Sequence, residues 1–509
     1  MPVDGVQLEL FRHLLVSIAE EMGAVLRKSS YSANIKERRD YSCALYDARG
    51  ETIAMGDHMP VHLGAMPLSV RAVMDAFELQ AGDVALVNDP FQGGTHLPDI
   101  TAVAPVFTGG SKPSFYVASR AHHSDVGGMS PGSMPLATEI YQEGLRIPPI
   151  LIRRAGKLDG PLLRMILANV RTPEEREGDI AAQLASIERG ERRLQELSEK
   201  FGAKQLEAGA QGLQDYSERM MRATLRELRA GVYRFEDFLD NDGVTATPVK
   251  ICVRVTIGKE TATVDFTGSD AQVAGPMNAN YAVTLAATIY VFRCLIREDV
   301  PFTSGILRPI RVIAPEGTVV NALAPAPMAA GNVETSQRVT DVLLGALAKA
   351  APERIPAPSC GTMNNVSFGG GLADKKAWAY YETIAGGAGA SIAGPGLSAH
   401  HTHMTNSWNT PVEAFEHQYP VRIERYHVRR GSGGKGTHAG GDGIVRAFRF
   451  LKDAEVTLIA DRRAKGPGNA KSGKDSFNGK AIASKTRLQA RPGDVLEIQT
   501  PGGGGTDCN

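Results

Sequence analysis

Clustered glycine is the feature that most constrains how this chain can fold. The chain contains 55 glycines among 509 residues, about 11%, whereas about 7% is typical of proteins. Because glycine lacks a Cβ atom, the runs at residues 385–390, 431–436 and 502–505 favour tight turns and close approach of backbone segments. We expect the first two runs to be structural turns. The C-terminal TPGGGGTDCN is expected to be a flexible end or a backbone loop at a partner surface.

Short apolar runs separated by Gly, Pro, Asn and Asp predict a sheet-rich region over residues 41–148. Its candidate strands are residues 43–46, 52–55, 84–87 and 115–118. Further along the chain, apolar alternation on both sides of Gly258 predicts a β-hairpin. The segments RIERYHVRR, IVRAFRF, EVTLIA and DVLEIQT are candidate strands of a β-rich C-terminal region.

Helical periodicity predicts an amphipathic first helix over residues 6–28 and further helices around residues 281–297 and 340–350. Residues 172–230 are rich in Glu, Arg, Leu and Ala, and they predict two helices separated at Gly202. The charges of this helical hairpin favour a solvated surface or interface element. The fold class that we predict is mixed α+β, with sheet-rich core regions, an inserted helical hairpin and a β-rich C-terminal region.

Changes in composition divide the chain into four expected regions. The first, residues 1–170, combines the N-terminal helix with the sheet-rich region that carries the candidate metal site. The helical hairpin occupies residues 171–240, an α/β middle region occupies residues 241–419, and the β-rich C-terminal region occupies residues 420–509.

Charge and cysteine content exclude several classes of protein. Lysine plus arginine number 56 and so do aspartate plus glutamate, giving zero net charge, whereas nucleic acids and anionic membranes attract a basic excess. Five scattered cysteines without a CxxC pair suit a reducing cytosol. No run reaches the roughly 18 apolar residues of a membrane span, and the first residues do not resemble a signal peptide. We therefore expect a cytoplasmic protein with no nucleic-acid or membrane partner.

Two loops carry the residues most suited to chemistry. The loop NDPFQGGTHLPD follows an apolar run and places His96 and Asp99 three positions apart across a proline. The loop RAHHSDVGG follows the strand-like FYVAS and contains His122 and His123. If neighbouring strands deliver both loops to one end of a sheet, two imidazoles and a carboxylate meet there. Such a set suits Mn, Fe(II) or Zn and leaves positions open for water or substrate.

Structural histidines that only form hydrogen bonds are the competing interpretation of these loops. The density of histidine favours a metal site, because five of the twelve histidines lie between residues 58 and 123. Asp40, just before a candidate strand, is either a further carboxylate ligand or an ion-pair partner of Arg38 or Arg39. Ligating histidines usually donate their second nitrogen to a carboxylate, so Asp89 and Asp125 are candidates for that role.

Other polar motifs are weaker. Residues 57–62 are candidates for the pocket wall, although a helix cap or turn is the more ordinary role of Asp57. The stretch from His400 to His403 is a candidate second metal site, but hydrogen bonding across a subunit or domain contact is favoured because no acid is interleaved. The GxxxxGK spacing at residues 468–474 is followed by Asp475, where a phosphate-binding loop needs Ser or Thr. We therefore predict no nucleotide site in this chain.

Six ordered motifs are similar to those of a known family. They are KERRDYSCALYDARG, NDPFQGGTHLPDI, AHHSDVGG, YYETIAGGAGA, HTHMTNSWNTPVE and GGDGIVRAFRF. In this order they resemble the hydantoinase B/oxoprolinase family, the HyuB-type subunit of N-methylhydantoinases, 5-oxoprolinases, caprolactamase and acetone and acetophenone carboxylases. The resemblance runs from about residue 6 to the C-terminal TPGGGG.

The resemblance implies a machine of two subunits. A HyuA-type ATPase subunit, with an actin/acetate-kinase-like fold, would use ATP and Mg to phosphorylate the substrate, and the HyuB-type subunit would hold a divalent metal (Mn, Zn or Fe). The family pattern falls on Asp40, His96, Asp99 and His123 as metal-binding and catalytic residues. His122 is the alternative to His123, because the doubled histidine leaves the register uncertain by one. The family also suggests a heterotetramer of two plus two chains.

Three hypotheses about function follow. The leading one is the metal-carrying subunit of an ATP-dependent cyclic-amide hydrolase of the hydantoinase or 5-oxoprolinase type, whose metal site performs ring opening. The second is the corresponding subunit of an ATP-dependent ketone carboxylase of the acetone or acetophenone type. The third, from another class, is a non-catalytic assembly subunit whose histidines are structural.

Overall fold

The computed structural model describes residues 4–56, 58–371 and 377–507. The predicted role of Asp57 therefore lies outside the described residues. The α-helices within these ranges are α1 (Gly5–Ser29), α2 (Ala33–Lys36), α3 (Met66–Ala76), α4 (Gly160–Leu167), α5 (Pro173–Phe201), α6 (Ala203–Glu227), α7 (Tyr281–Leu295), α8 (Ser336–Leu347) and α9 (Val412–Gln418). Among the helices described, none has the length and apolarity that crossing a membrane requires.

A seven-stranded antiparallel sheet forms the N-terminal part of the molecule. Its strands are β1 (Tyr41–Asp47), β2 (Thr52–Met55), β3 (Val84–Val87), β4 (Asp99–Val106), β5 (Phe115–His122), β6 (Ile150–Arg154) and β7 (Lys157–Leu158). Their order across the sheet is β2-β1-β5-β4-β3-β6-β7. Loops from the two central neighbours, β4 and β5, therefore lie side by side.

Both faces of this sheet are covered, which explains why its central strands are buried along their whole length. α1 packs against β1 and β2, and α5 packs against β4 and β5 on the same face. Side chains such as Val103 and Ala118 point to the opposite face, where they share a core with residues of α3. Since β4 has no apolar–polar alternation, the sequence pattern did not reveal it as a strand.

The helical hairpin is present as predicted, because α5 and α6 are separated by Gly202, whose φ is +86°. The expectation of a solvated surface element is wrong for one face of α5. Arg176, Asp179 and Gln183 are buried there, and the Gln183 side chain donates to backbone carbonyls of the central strands at 3.0 Å. The hairpin is thus one layer of the N-terminal core.

Three further sheets complete the chain. The middle one contains β8 (Gly231–Leu239), β9 (Val249–Ile257), β10 (Ala262–Asp265) and β11 (Ile310–Ile313), with the predicted hairpin at β9 and β10. The other strands are β12 (Asn365–Gly370), β13 (Trp378–Glu382), β14 (Val421–Arg429), β15 (Gly443–Phe450), β16 (Ala454–Ile459), β17 (Lys474–Phe477), β18 (Lys480–Ala481), β19 (Lys485–Ala490) and β20 (Val495–Gln499). They form a sheet in the order β13-β12-β16-β19 and another in the order β14-β15-β20-β17-β18. These elements confirm the mixed α+β class and its β-rich C-terminal region.

The C-terminal glycine run is not a flexible end, which corrects one of the two expectations for TPGGGGTDCN; a backbone loop at a partner surface stays a prediction, and residues 508 and 509 lie outside the described ranges. Residues 501–504 are buried, and their backbone bonds to the other glycine-rich segments. The Gly503 N–H donates to the Gly441 carbonyl, and the Gly387 N–H donates to the Pro501 carbonyl. Glycine is required here because backbones approach closely, so all three runs belong to one packed structure.

Candidate metal centre

The two loops with candidate ligands meet at one end of the seven-stranded sheet. β4 begins at Asp99 and β5 ends at His122, and the antiparallel register places these residues opposite each other. Directly opposed residues of an antiparallel pair point to the same face. His96 lies three residues before β4, in a turn that the Asp99 N–H closes by donating to the His96 carbonyl.

His96 Nε2, Asp99 Oδ1 and His122 Nδ1 form a buried triangle. The His96 nitrogen lies 3.2 Å from the Asp99 oxygen and 3.2 Å from the His122 nitrogen. The third side, from Asp99 Oδ1 to His122 Nδ1, is 3.3 Å. Atoms that bind one ion at about 2.0–2.2 Å stand about 3–3.5 Å apart, so the triangle has the size that a shared divalent cation requires.

The two oxygens of the Asp99 carboxylate have different neighbours. Oδ2 accepts hydrogen bonds from Thr95 Oγ1 at 2.7 Å and from Asn332 Nδ2 at 3.2 Å, and His62 Nε2 lies 3.4 Å away. Oδ1 is buried between the two histidines and has no hydrogen-bond partner among the described residues. A buried oxygen without a donor is costly, and a cation at the triangle would satisfy it.

The backbone around residue 329 orients His96. Nδ1 of His96 lies 3.0 Å from the Ala329 carbonyl, which makes Nδ1 the protonated nitrogen and leaves Nε2 able to bind a metal. Glu143 holds this backbone, because its Oε1 accepts from the N–H groups of Met328 at 2.7 Å and Ala329 at 2.8 Å. Burial raises the pKa of Glu143 to about 8, although the two N–H groups oppose the shift.

Hydrogen bonds hold the loop that carries His96 against neighbouring segments. The Asn280 side chain donates to the carbonyls of Pro90 at 2.7 Å and Gly94 at 2.8 Å. A Cβ atom on Gly94 would lie only 2.3 Å from the Asn88 carbonyl oxygen, so this glycine permits the close return of the loop. The position of His96 is therefore fixed by the fold.

A small pocket of about 10 Å³ lies beside the triangle, and a volume of this size holds about one water molecule. Its wall includes His62, Asn332 and Tyr381. The Tyr381 ring stacks on His122, with the ring centres 4.5 Å apart and the planes at 16°. Residues 57–62 were expected to contribute to the wall, and Met59, Val61 and His62 do. Asn332, in the π-helical turn Gly331–Thr335, had no local sequence signal.

Burial and charge set the protonation of the triangle. Burial opposes ionisation of Asp99, but His96 and His62 outweigh it and hold the pKa of Asp99 well below its usual value. Burial alone would lower the pKa of His96, yet the Asp99 charge raises it overall. Burial lowers the pKa of His122 to about 3, so this ring is neutral and able to ligate. A cation at the triangle would compete with a second proton on His96, at Nε2, which the Asp99 charge favours.

His123 does not join the triangle, because consecutive strand residues point to opposite faces. Its ring lies on the face covered by α5, where Nε2 is 2.9 Å from Gln183 Oε1. Burial, together with the nearby Arg176 charge, lowers the pKa of His123 to about 4. Of the two histidines that the family pattern left open, the structure brings His122 to His96 and Asp99.

Asp40 lies in the pocket wall and outside the triangle. Its carbonyl accepts the His122 N–H at 3.0 Å, and its carboxylate is 3.9 Å from Arg38. Burial raises the pKa of Asp40 to about 6, although Arg38 opposes the shift. The position is compatible with contact to a pocket occupant and with pairing to Arg38.

The expectation that Asp89 and Asp125 orient ligating histidines is wrong. Asp89 accepts from the N–H of Phe91, and Asp125 accepts from Gly127 and Arg171, so neither carboxylate orients a ring of the triangle. In the second histidine cluster, His403 has a φ of +59° and Nδ1 lies 3.4 Å from the Tyr290 hydroxyl. This segment turns there, and among the described residues its histidines form no cluster of three ligating side chains, whereas the favoured hydrogen bonding is present at His403.

The geometry of the triangle predicts opposite effects on metal binding for substitution of His122 and substitution of His123. His122→Ala is expected to lower the bound metal per chain at least about tenfold, because one of three ligands is removed. His123→Ala should keep the metal, since its ring bonds to Gln183 on the other face. Elemental analysis of both variants after dialysis checks this. Equal retention by the two variants, or loss only in His123→Ala, would contradict the geometry.

Glu334 predicts a pH dependence of stability. Its Oε1 accepts from the Met363 N–H and the Asn365 side chain, and burial, with the nearby Asp461 charge, raises its pKa to about 7. A carboxyl with a raised pKa binds its proton more tightly in the folded state, so its contribution is lost as pH rises from about 5 towards 7. The melting temperature of Glu334→Gln should fall less over this range than that of the wild type. A parallel fall in both proteins would contradict this, and the exposed Glu207→Gln is the control.

The fold and the triangle define a mixed α+β protein with a buried site of two histidines and one aspartate. Residues 4–506 match the family model described as hydantoinase B/oxoprolinase. The chain belongs to the hydantoinase B/oxoprolinase family.

Two relatives and two solved structures illustrate the similarity. 5-Oxoprolinase 1 of Arabidopsis thaliana is 36% identical over 99% of this chain and 42% of its own length. A putative B-type subunit of D-/L-hydantoinase from Pseudomonas sp. (strain NS671) is 31% identical over 99% of this chain and 90% of its own. ATP-dependent caprolactamase from Pseudomonas jessenii superimposes with a TM-score of 0.93, at 29% identity, over 100% of this chain and 92% of its own. Acetone carboxylase, with a TM-score of 0.88 at 17% identity over 98% of this chain and 75% of its own, shares the fold.

Proposed function

We propose that this chain is the metal-carrying component of an ATP-dependent cyclic-amide hydrolase, with His96, Asp99 and His122 as the metal ligands. The observation that carries the proposal is the buried triangle of His96 Nε2, Asp99 Oδ1 and His122 Nδ1. A divalent cation held there would act as a Lewis acid towards the carbonyl or phosphorylated carbonyl of the substrate. The donor set suits Mn, Fe(II) or Zn.

The residues of the chain itself prepare the site. Thr95 and Asn332 keep one oxygen of Asp99 occupied, so the other faces the histidines. The Ala329 carbonyl fixes the proton of His96 on Nδ1, and the Tyr381 ring restrains His122. These contacts preorganise the site before a substrate arrives, which is how protein groups contribute most to such chemistry.

A larger cavity lies next to the pocket. Its volume is about 500 Å³, and it shares Met59 with the wall of the pocket. Arg12 and Arg293 line it, and Arg293 donates to the Val300 carbonyl at 2.8 Å. We propose that substrates enter from this cavity past Met59.

The ATP-using step is assigned to another polypeptide or segment. The chain spans about two fifths of the length of the 5-oxoprolinases it matches, but most of the length of the Pseudomonas hydantoinase component. The difference in coverage supports a HyuA-type partner that phosphorylates the substrate. Asp475 also supports it, because a phosphate-binding loop would need Ser or Thr at this position. A heterotetramer and a cytoplasmic location remain part of this proposal.

Reconstitution tests the proposed function. The metal-loaded chain, combined with a HyuA-type ATPase, is incubated with ATP and either hydantoins, 5-oxoproline, caprolactam, or ketones plus labelled bicarbonate. We expect a ring-opened amino acid and ATP consumption, both dependent on metal and on His96. Label in a stable product would favour the carboxylase alternative. Metal analysis that finds none, together with full turnover by His96→Ala, would favour the assembly subunit.

A further inference from the structure

The space beside the triangle is too small for a substrate ring, because the pocket there holds about one water molecule. The cavity next to it, which also has Met59 in its wall, has a volume of about 500 Å³. Sites for small molecules typically have volumes of about 300–1,000 Å³. The body of a substrate that reacts at the triangle is therefore expected in this cavity, with only its reacting group close to Met59.

Single segments of chain separate the cavity from the pocket. Met59 lines both spaces, whereas Pro60 lines the cavity and Val61 lines the pocket. In the same way, Thr405 lines the pocket and Asn406 lines the cavity. Methionine has three rotatable side-chain bonds and adapts its shape to its surroundings, so the Met59 side chain is able to move aside for a reacting group.

The wall of the cavity carries more positive than negative charge. Arg12, from α1, and Arg293, from the last turn of α7, both line it, and Asp299 is the only carboxylate among its described residues. The Asp299 side chain is 82% exposed and is already paired with Arg12 at 2.8 Å. Nε of Arg12 is buried and has no acceptor among the described residues. Donors for an anion are thus present on this wall.

Arg293 is held in place by a hydrogen bond, but no carboxylate balances its charge. The residue is half-buried, and its Nη2 donates to the Val300 carbonyl at 2.8 Å. In the part of the chain that the structure describes, no carboxylate oxygen lies within 4.0 Å of its guanidinium. A guanidinium has five N–H donors in a planar fork that matches the two oxygens of a carboxylate. The chemistry of Arg293 therefore suits a carboxylate on the ligand.

The rest of the wall suits the apolar part of a ring. Val16, Met55, Leu63 and Phe302 contribute apolar side chains to it. A mainly apolar wall with a few polar groups that fix the orientation of the ligand is typical of sites for small molecules. A small ring with one carboxylate matches this division, because the ring meets the apolar side chains and the carboxylate meets Arg293.

We propose that this cavity binds cyclic amides that carry a carboxylate, and that Arg293 binds the carboxylate and so favours acidic rings over neutral rings of the same size. The inference rests on the proposed function and narrows its substrate class. No bond is made or broken by Arg293, which is a specificity-determining residue. Its hydrogen bond is to Val300, and not to a residue of the triangle, so its substitution should leave metal binding unchanged.

Two ligands of the same shape test this proposal. 5-Oxoproline carries a carboxylate, and 5-oxoprolinamide has a neutral carboxamide in its place. Their binding to the metal-loaded full-length chain, without an ATPase partner, is compared by calorimetry or competition. The wild type should bind 5-oxoproline at least about tenfold more tightly, as expected for a charge-assisted pair. In Arg293→Gln, which removes the charge, the ratio should fall to about two or less, and in Arg293→Lys, which keeps the charge and loses the fork, it should lie between these values.

A control variant separates the carboxylate contact from a general effect of charge. Arg297→Gln removes the same charge from an exposed residue that does not line the cavity, and it should leave the ratio unchanged. Metal content should be equal in all these proteins. An unchanged ratio in Arg293→Gln, an equal fall in Arg297→Gln, or a loss of metal from Arg293→Gln would overturn the proposal.

A simple anion separates binding of the ring from binding of charge alone. Acetate should bind to the wild type at least about tenfold more weakly than 5-oxoproline, because it lacks the ring that contacts the apolar wall. Equal binding of acetate and 5-oxoproline, or binding of neither ring, would also overturn the proposal. If the reconstituted complex turns over no cyclic amide, the proposed function fails, and the binding ratio still decides the role of Arg293.

Discussion

Asp99→Asn should abolish metal binding and lower turnover by at least about a hundredfold, because even residues that only support metal ligands cost ten- to a hundredfold when removed. The loss of metal is expected because the two oxygens of the Asp99 carboxylate have different partners. Thr95 and Asn332 both donate to Oδ2, so the oxygen of an asparagine would stay on their side. Its NH₂ group would then face His96 and His122 and could not bind a cation.

The matched control for this variant is Asp125→Asn. Asp125 is also buried and lies in the loop after β5, but it accepts from Gly127 and pairs with Arg171 at 3.0 Å. Metal per folded chain should be unchanged in this variant, although its stability should fall. Elemental analysis and turnover assays of both variants measure these effects. Metal retained by Asp99→Asn would contradict the assignment of Asp99 as a ligand.

Gly387→Ala should lower the free energy of unfolding by about 3 kcal/mol or more, at the upper end of the cost of overpacking. A Cβ atom at this position would lie 1.9 Å from the Gly441 carbonyl oxygen and 2.4 Å from the Gly503 nitrogen. Both contacts are with backbone atoms, so no side chain can rotate to relieve them. Urea unfolding, or failure of the variant to accumulate as folded protein, measures the effect.

A nearby glycine provides the control. A Cβ atom on Gly394 would meet nothing within 4 Å, so Gly394→Ala should change the free energy of unfolding by no more than about 0.5 kcal/mol. Equal stability of the Gly387 and Gly394 variants would contradict the close packing of the three glycine-rich segments.

Local sequence patterns predicted the helices and strands of this fold, but they predicted few of the contacts between these elements. Periodicity placed α1, and Gly202 placed the break between α5 and α6. Yet the C-terminal glycine run is buried only because Gly387 and Gly441 pack against it. A run of glycines looks the same in a flexible end and in a packed segment, so no local pattern distinguishes them.

The candidate site was predicted in part for a similar reason. The loops of His96 and His122 were recognised from their composition, but the choice between His122 and His123 depends on which face of β5 looks towards Asp99. That choice is set by the pairing of β4 with β5, and β4 has no alternating pattern. Asn332 is brought to Asp99 across 233 positions, and such a contact is determined by tertiary packing alone.

The most direct test of the account is a crystal structure of the metal-loaded protein, with anomalous diffraction recorded at the absorption edge of the metal. We expect one strong peak about 2.0–2.2 Å from His96 Nε2, Asp99 Oδ1 and His122 Nδ1, with His123 bound to Gln183. A peak bound by His123, or no peak at these three atoms in protein that holds stoichiometric metal, would contradict the account.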